Sequence, residues 1–104
     1  MDKAIRDEWI LALRSGAYEQ ATGRLKDGDR YCCLGVLCAI HPDVIEKDNG
    51  VFIYKGYGAK TNLPGKLDLD LCIPRMVAGY TLPIMNDDKG KTFSEIADWI
   101  EANL

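Results

Sequence analysis

Apolar residues fall along this chain in three patterns, and each predicts an element. From Tyr31 to Ile40 the run Tyr-Cys-Cys-Leu-Gly-Val-Leu-Cys-Ala-Ile is apolar on every side at about 100° per residue. A helix apolar all round is buried, and one this short falls well below the roughly 20 residues needed to span a bilayer. It is therefore expected to be a central core helix. Residues 2–15 carry a single stripe, Ile5, Trp9, Ala12 and Leu13, with Arg6, Asp7 and Arg14 outside it. That predicts an amphipathic helix with Asp2 as N-cap and Gly16 as its stop. The third pattern follows Thr92-Phe93-Ser94-Glu95, a capping-box sequence. A last helix then places Phe93, Ile96, Ala97, Ile100 and Leu104 inward, with Trp99 off the stripe as a core flank or a contact surface.

Between these helices the pattern is shorter-ranged. Residues 17–30 are polar and punctuated by glycine, with a turn at Asp27-Gly28 after an extended piece around Gly23 to Leu25. Asp29 is positioned to cap the central helix, and Pro42 to end it. Val44 to Gly50 reads as a connection with a turn at Asp48-Asn49-Gly50. Val51-Phe52-Ile53-Tyr54 reads as a strand, expected to pair with the extended piece before the central helix. Tyr57-Gly58 begins a loop, and Leu63-Pro64 starts a helix running to about Leu71. Residues 75–80 are open between strand and loop. Thr81 is placed to cap a short helix through Asp87, which Gly90 closes. The fold these elements predict is one small α+β domain over residues 1–104, mainly helical, with a buried central helix and a minor antiparallel sheet.

Composition narrows the function classes. Hydrophobic residues make up 47% and charged residues 28% of the chain, the balance of a folded water-exposed domain. The formal charge of −3 and an isoelectric point near 5.0 give no footprint for nucleic acid. A helix-turn-helix reading of the C-terminal helices fails for the same reason, since Glu95, Asp98 and Glu101 would face phosphates. No membrane partner is expected. Residues 1–9 carry both charge signs and no apolar run, so no secretory signal is expected. The expected setting is the cytosol, where the four cysteines stay reduced.

Three constellations could carry chemistry. Cys33 falls in the first turn of the central helix, where the dipole lowers a thiol pKa. Gln20 could donate to an oxyanion, and His41 is the one histidine available as a base. Residues 33 and 41 are separated by roughly 12 Å along one helix, so they cannot meet, and catalysis by Cys32 or Cys33 is an alternative rather than the main expectation. Cys38 and His41 have a Cys-x-x-His spacing, but the second ligand pair of a structural zinc site is missing; no metal and no cofactor is expected. The third constellation is a pair of polar loops, Tyr18, Gln20, Arg24 and Tyr31 in one, Asn86, Asp87 and Asp88 in the other. Together they could stack on and hydrogen-bond a planar ligand or peptide, although Asn86 and Asp87 could equally terminate a helix and Gln20 satisfy loop backbone. A ligand- or partner-binding site, if present, is expected at Tyr18, Gln20, Arg24, Tyr31, Asn86 and Asp87.

Two stretches resemble a family of small, uncharacterised proteins encoded by bacteriophages and prophages. One runs from Trp9 through Ala12-Leu13-Arg14-Ser15-Gly16, Tyr18 and Gln20 to Tyr31-Cys32-Cys33-Leu34-Gly35-Val36-Leu37-Cys38. The other is Asn86-Asp87, a glycine turn at Gly90, and Thr92-Phe93-Ser94-Glu95-Ile96-Ala97. The middle departs from the family, which follows Leu-Pro with an alanine-rich helix where this chain has Leu63-Pro64-Gly65-Lys66-Leu67-Asp68-Leu69-Asp70. The resemblance supplies no catalytic residues. It implies the cytosol of an infected or lysogenic bacterium. The expected function is then a non-enzymatic binding protein that inhibits a host factor or defence system, through a protein partner or a sequestered small molecule. A thiol-dependent enzyme and a phage structural or assembly accessory protein are the alternatives, the latter with exposed Trp99 or Leu11 at a symmetric interface.

Overall fold

The computed structural model describes residues 1–48 and 50–104. Its first element, α1 (Lys3–Arg14), begins where the Asp2 carboxylate accepts from the Ile5 amide at 3.0 Å. It buries Trp9, Ile10 and Leu13. The central helix is α2 (Cys33–Ile40), in which Cys33 through Cys38 are all buried. The last is α5 (Phe93–Asn103), whose reciprocal Thr92–Glu95 capping box is present and which buries Phe93, Ile96, Ala97 and Ile100. Leu104 and Trp99 reach the core only in part. α1 packs on both α2 and α5, and the Trp9 indole N–H donates to the Cys33 carbonyl at 2.9 Å inside that contact.

Two three-stranded sheets flank the helices, giving the α+β class. The first joins β1 (Glu19–Gln20), β2 (Lys26–Asp27) and β3 (Arg30–Tyr31) in the order β1-β3-β2, parallel between β1 and β3 and antiparallel between β2 and β3. The second is an antiparallel meander of β4 (Val44–Lys47), β5 (Val51–Tyr54) and β6 (Tyr57–Ala59). Several expectations are corrected here. The extended piece lies at Lys26–Asp27, not at Gly23 to Leu25. Val44 to Gly50 contains a strand, and so does the supposed loop at Tyr57. β5 pairs with these two neighbours and not with the piece before α2. Local hairpins close shorter loops than the longer-range pairing would, and the alternating burial along β5, with Phe52 and Tyr54 inward, is satisfied equally by them. The turn expected at Asp48-Asn49-Gly50 includes Asn49 and lies outside the described residues.

The cap of α2 is also corrected. Asp29 does not cap it; Cys32 does, its sulfur accepting from the Gly35 amide at 3.3 Å. Gly35 itself has a steric reason. A Cβ there would lie 1.7 Å from the Leu25 carbonyl oxygen, so the loop backbone rests directly on the helix.

After β6 the chain forms a short α3 (Leu67–Asp70). It begins later than Leu63-Pro64 predicts because Gly65, at φ +56°, breaks the backbone between them. Residues 75–80 are neither strand nor loop but helical. They enter a π-helical turn, Val77–Thr81, that runs on into α4 (Leu82–Asp87). Thr81 is no cap, since its φ and ψ of −59° and −52° are helical. Pro83 explains the wide turn. It cannot donate a hydrogen bond and its ring would crowd the carbonyl four residues back; the extra residue in the turn relieves that crowding, and the Leu82 amide reaches back to Val77. Among the described residues no helix is long and apolar enough to cross a membrane.

Candidate functional site

The two polar loops singled out in the sequence do meet, at the N-terminus of α2. β1 and β3 put Gln20 beside Tyr31, and α4 delivers Asn86 from the far side. The Asn86 amide oxygen accepts from the Cys33 backbone N–H at 3.1 Å and from Gln20 Nε2 at 2.9 Å. Its Nδ2 donates to the Ala21 carbonyl and to Asp87 Oδ1, each at 2.8 Å. Gln20 also donates to the Lys91 carbonyl at 2.8 Å. Asn86 is only 2% exposed, and its hydrogen-bonding capacity is met by the protein itself. Tyr18 packs edge-on against Tyr31 with ring centroids 5.1 Å apart, and the Lys26 ammonium stands 5.3 Å over the Tyr31 ring. Asp87 is exposed beside Asn86. Arg24 is exposed and makes no side-chain hydrogen bond or ion pair among the described residues.

The thiols at this place are not set up for nucleophilic chemistry. Cys32 and Cys33 are buried, and their pKa values move in the direction opposite to that expected from the helix dipole. Burial pushes Cys32 up to about 11, with the Asp87 carboxylate adding to it against backbone donors that pull the other way. Burial drives Cys33 well above its ordinary value, and Cys32 and Asp87 add to it. Cys33 Sγ lies 3.8 Å from the Leu82 carbonyl, its one hydrogen-bond partner. His41 sits at the opposite end of α2, where its Nδ1 accepts from the Asp43 amide and its ring packs edge-on against Tyr54 at 5.6 Å. Desolvation dominates the dipole here because a thiolate, unlike a dipole, carries a full charge into the core. Cys72 is exposed.

A different place on the surface is concave. A cleft of about 290 Å3 is lined by Asn62, Leu63 and Gly65 after β6, Asp68 of α3, and Arg75, Ala78 and Gly79 on the helical segment. Its α3 wall is tied to the second sheet by Asp70, which accepts from the Tyr54 hydroxyl at 2.6 Å and Lys55 Nζ at 2.8 Å. Those two donors, Lys55 first, hold the Asp70 carboxyl below its ordinary range. Asp68 and Arg75 face the cleft without an ion pair, to each other or to any other described residue. None of the six site residues expected from sequence lines it. The signal that could have found it was the Pro74 to Pro83 stretch, whose helical reading hid behind its glycine, prolines and short apolar run.

A family model for a domain of unknown function, DUF8296, matches residues 1–57, more than half of the chain. The chain belongs to the DUF8296 family. The DUF8296 match takes in α1, the first sheet, α2 and most of the second sheet, and stops at Tyr57 in β6. The cleft and Asn86 lie downstream of it. No curated protein and no solved structure matches the chain.

Proposed function

We propose that this DUF8296 protein is a non-enzymatic binding protein whose binding site is the cleft between α3 and the π-helical turn. The observation that carries this reading is the pairing of concavity with free charge, Arg75 and Asp68 lining one cleft with no ion-pair partner among the described residues. By contrast the polar groups around α2 are turned inward, and the buried thiols lack the exposed sulfur and nearby base that a thiol-dependent enzyme needs. The resemblance to phage and prophage proteins supports a role inside a bacterial cell, occupying a host factor or sequestering a small molecule, which needs no turnover. A second surface is favoured by the Tyr18–Tyr31 pair, half-buried aromatic rings packed edge-on with the Lys26 ammonium over Tyr31, which suits a protein partner.

Gly79 allows a clean test, because a Cβ there meets nothing within 4 Å and a Gly79→Phe ring would occupy the cleft. Wild type and Gly79→Phe are immobilised, exposed to bacterial lysate, and eluted for mass spectrometry of proteins and small molecules. Material retained by wild type and lost from the variant supports the cleft. Empty eluates, or identical ones from both proteins, overturn it.

A further inference from the structure

Resting on the reading of the cleft as a binding site, we propose that it takes a compact zwitterion, an α-amino acid or dipeptide with a small aliphatic side chain. Arg75 offers a planar fork of donors that matches a carboxylate. Asp68, when ionised, only accepts, and calls for an ammonium or N–H donors. The two line one cleft yet make no ion pair with each other. A simple anion would satisfy Arg75 while facing the Asp68 carboxylate, and a simple cation would do the reverse. A small ligand carrying both charges a few bonds apart satisfies both walls at once.

The rest of the lining limits size and polarity. Leu63 and Ala78 provide an apolar flank, and Gly79 leaves the helix backbone open to close approach. At about 290 Å3 the cleft lies at the small end of ligand pockets, which begin at roughly 300 Å3. Two backbone features shape the walls of the cleft. The π-helical turn Val77–Thr81 forms one wall, and such turns recur at functional sites. Cys72, a non-glycine residue at φ +57°, lies in the link between Asp68 and Arg75. That conformation closes α3, with the Ile73 amide donating to the Asp68 carbonyl at 2.8 Å and the Cys72 amide to the Leu69 carbonyl at 3.0 Å.

The test is an amide NMR titration of the 15N-labelled protein with alanine, valine and glycylglycine, alongside propionate, propylamine and inorganic phosphate. Arg75→Gln and Asp68→Asn are run in parallel. Neither side chain has an ion-pair partner among the described residues, so both variants are expected to melt with the wild type. The expected result is saturable movement of the amides at Gly65, Asp68, Ala78 and Gly79 with the zwitterions. Each singly charged analogue should bind at least tenfold more weakly, and each variant should lose at least tenfold in zwitterion affinity. Propionate or phosphate binding as well as alanine would overturn the ligand class and leave the cleft standing. So would stationary cleft amides with every zwitterion while Gly79→Phe still abolishes retention from lysate. Stationary amides with no Gly79-dependent retention would overturn both readings.

Discussion

Truncating Asn86 to alanine should cost this small protein a large share of its stability. The side chain makes four hydrogen bonds at 2.8–3.1 Å. Two of its partners are buried backbone groups, the Cys33 N–H and the Ala21 carbonyl, and neither makes another hydrogen bond. A buried polar group stripped of its partner costs about 1–3 kcal/mol, so the pair costs about 2–6 kcal/mol. The other two partners weigh less, because Gln20 keeps its bond to the Lys91 carbonyl and Asp87 is in water. A water entering the vacated volume would recover part of the loss, so about 3 kcal/mol is the working figure. Small domains hold about 5–15 kcal/mol in total, and about 4–8 °C of melting temperature accompanies each kcal/mol at this size. The fall should therefore exceed about 12 °C. Gln20→Ala removes one half-buried donor, leaves the Cys33 and Ala21 groups paired and frees only the exposed Lys91 carbonyl, so it should cost about 1 kcal/mol. Urea unfolding with a shared m-value measures both. An Asn86→Ala loss within about 1 kcal/mol of zero, or a Gln20→Ala loss of equal size, would refute the reasoning.

Four other outcomes follow from the same structure. Gly35→Ala drives a Cβ to 1.7 Å from the Leu25 carbonyl oxygen; overpacking costs about 1–3 kcal/mol or more, and backbone against backbone belongs at the upper end. Its near-UV circular dichroism should weaken, and an unchanged spectrum and melt would contradict the close approach. Gly79→Ala, in open helical backbone, should instead raise the urea midpoint by about 0.5–1 kcal/mol equivalent; a fall would show strain there. Ellman's reagent should modify Cys72 in the native protein and reach Cys32, Cys33 and Cys38 only on unfolding, so a second fast thiol would count against their burial. Because folding raises these thiols above their ordinary value of 9.0, the native state holds protons that the unfolded state releases. Stability is then complete below pH 9 and declines as pH rises toward about 11, the Cys32 value. Urea midpoints at pH 8, 9 and 10 should fall in that order, less steeply in Cys38→Ala; equal slopes would refute the linkage.

The helices with one-sided or all-round apolar patterns were legible because burial alone determines them. Trp9, Leu13, Val36, Leu37, Ile96 and Ile100 occupy the core that their spacing predicts. Strand pairing was not, since Val51–Tyr54 could satisfy its inward residues against more than one neighbour. The segment from Pro74 to Pro83 misled for a different reason. Prolines mark helix ends when the turn is α-helical, and a wide turn lets the chain pass one. The sequence groups Gln20 and Asn86 as two polar loops of one candidate site, without stating a contact between them. Their inward-facing arrangement depended on the Cys33 N–H and the Ala21 carbonyl, backbone groups that have no signature in a sequence. The cleft depended on two side chains staying apart, Asp68 and Arg75, and nothing in their spacing announces that.

The lock between Asn86 and Cys33 joins positions 53 residues apart in the chain. Ribosomes add about 5–20 residues per second, so the two groups are made about 3–10 s apart. During that interval a nascent α2 has an unanswered amide at its first residue, and its apolar sides lack the cover that α4 later gives. The segment that the family model matches, residues 1–57, is therefore shorter than the unit that can close its own core. Cut at Tyr57, it should behave as a sticky, unsettled chain in need of a chaperone, and adding residues 58–104 as a separate piece should restore order to it.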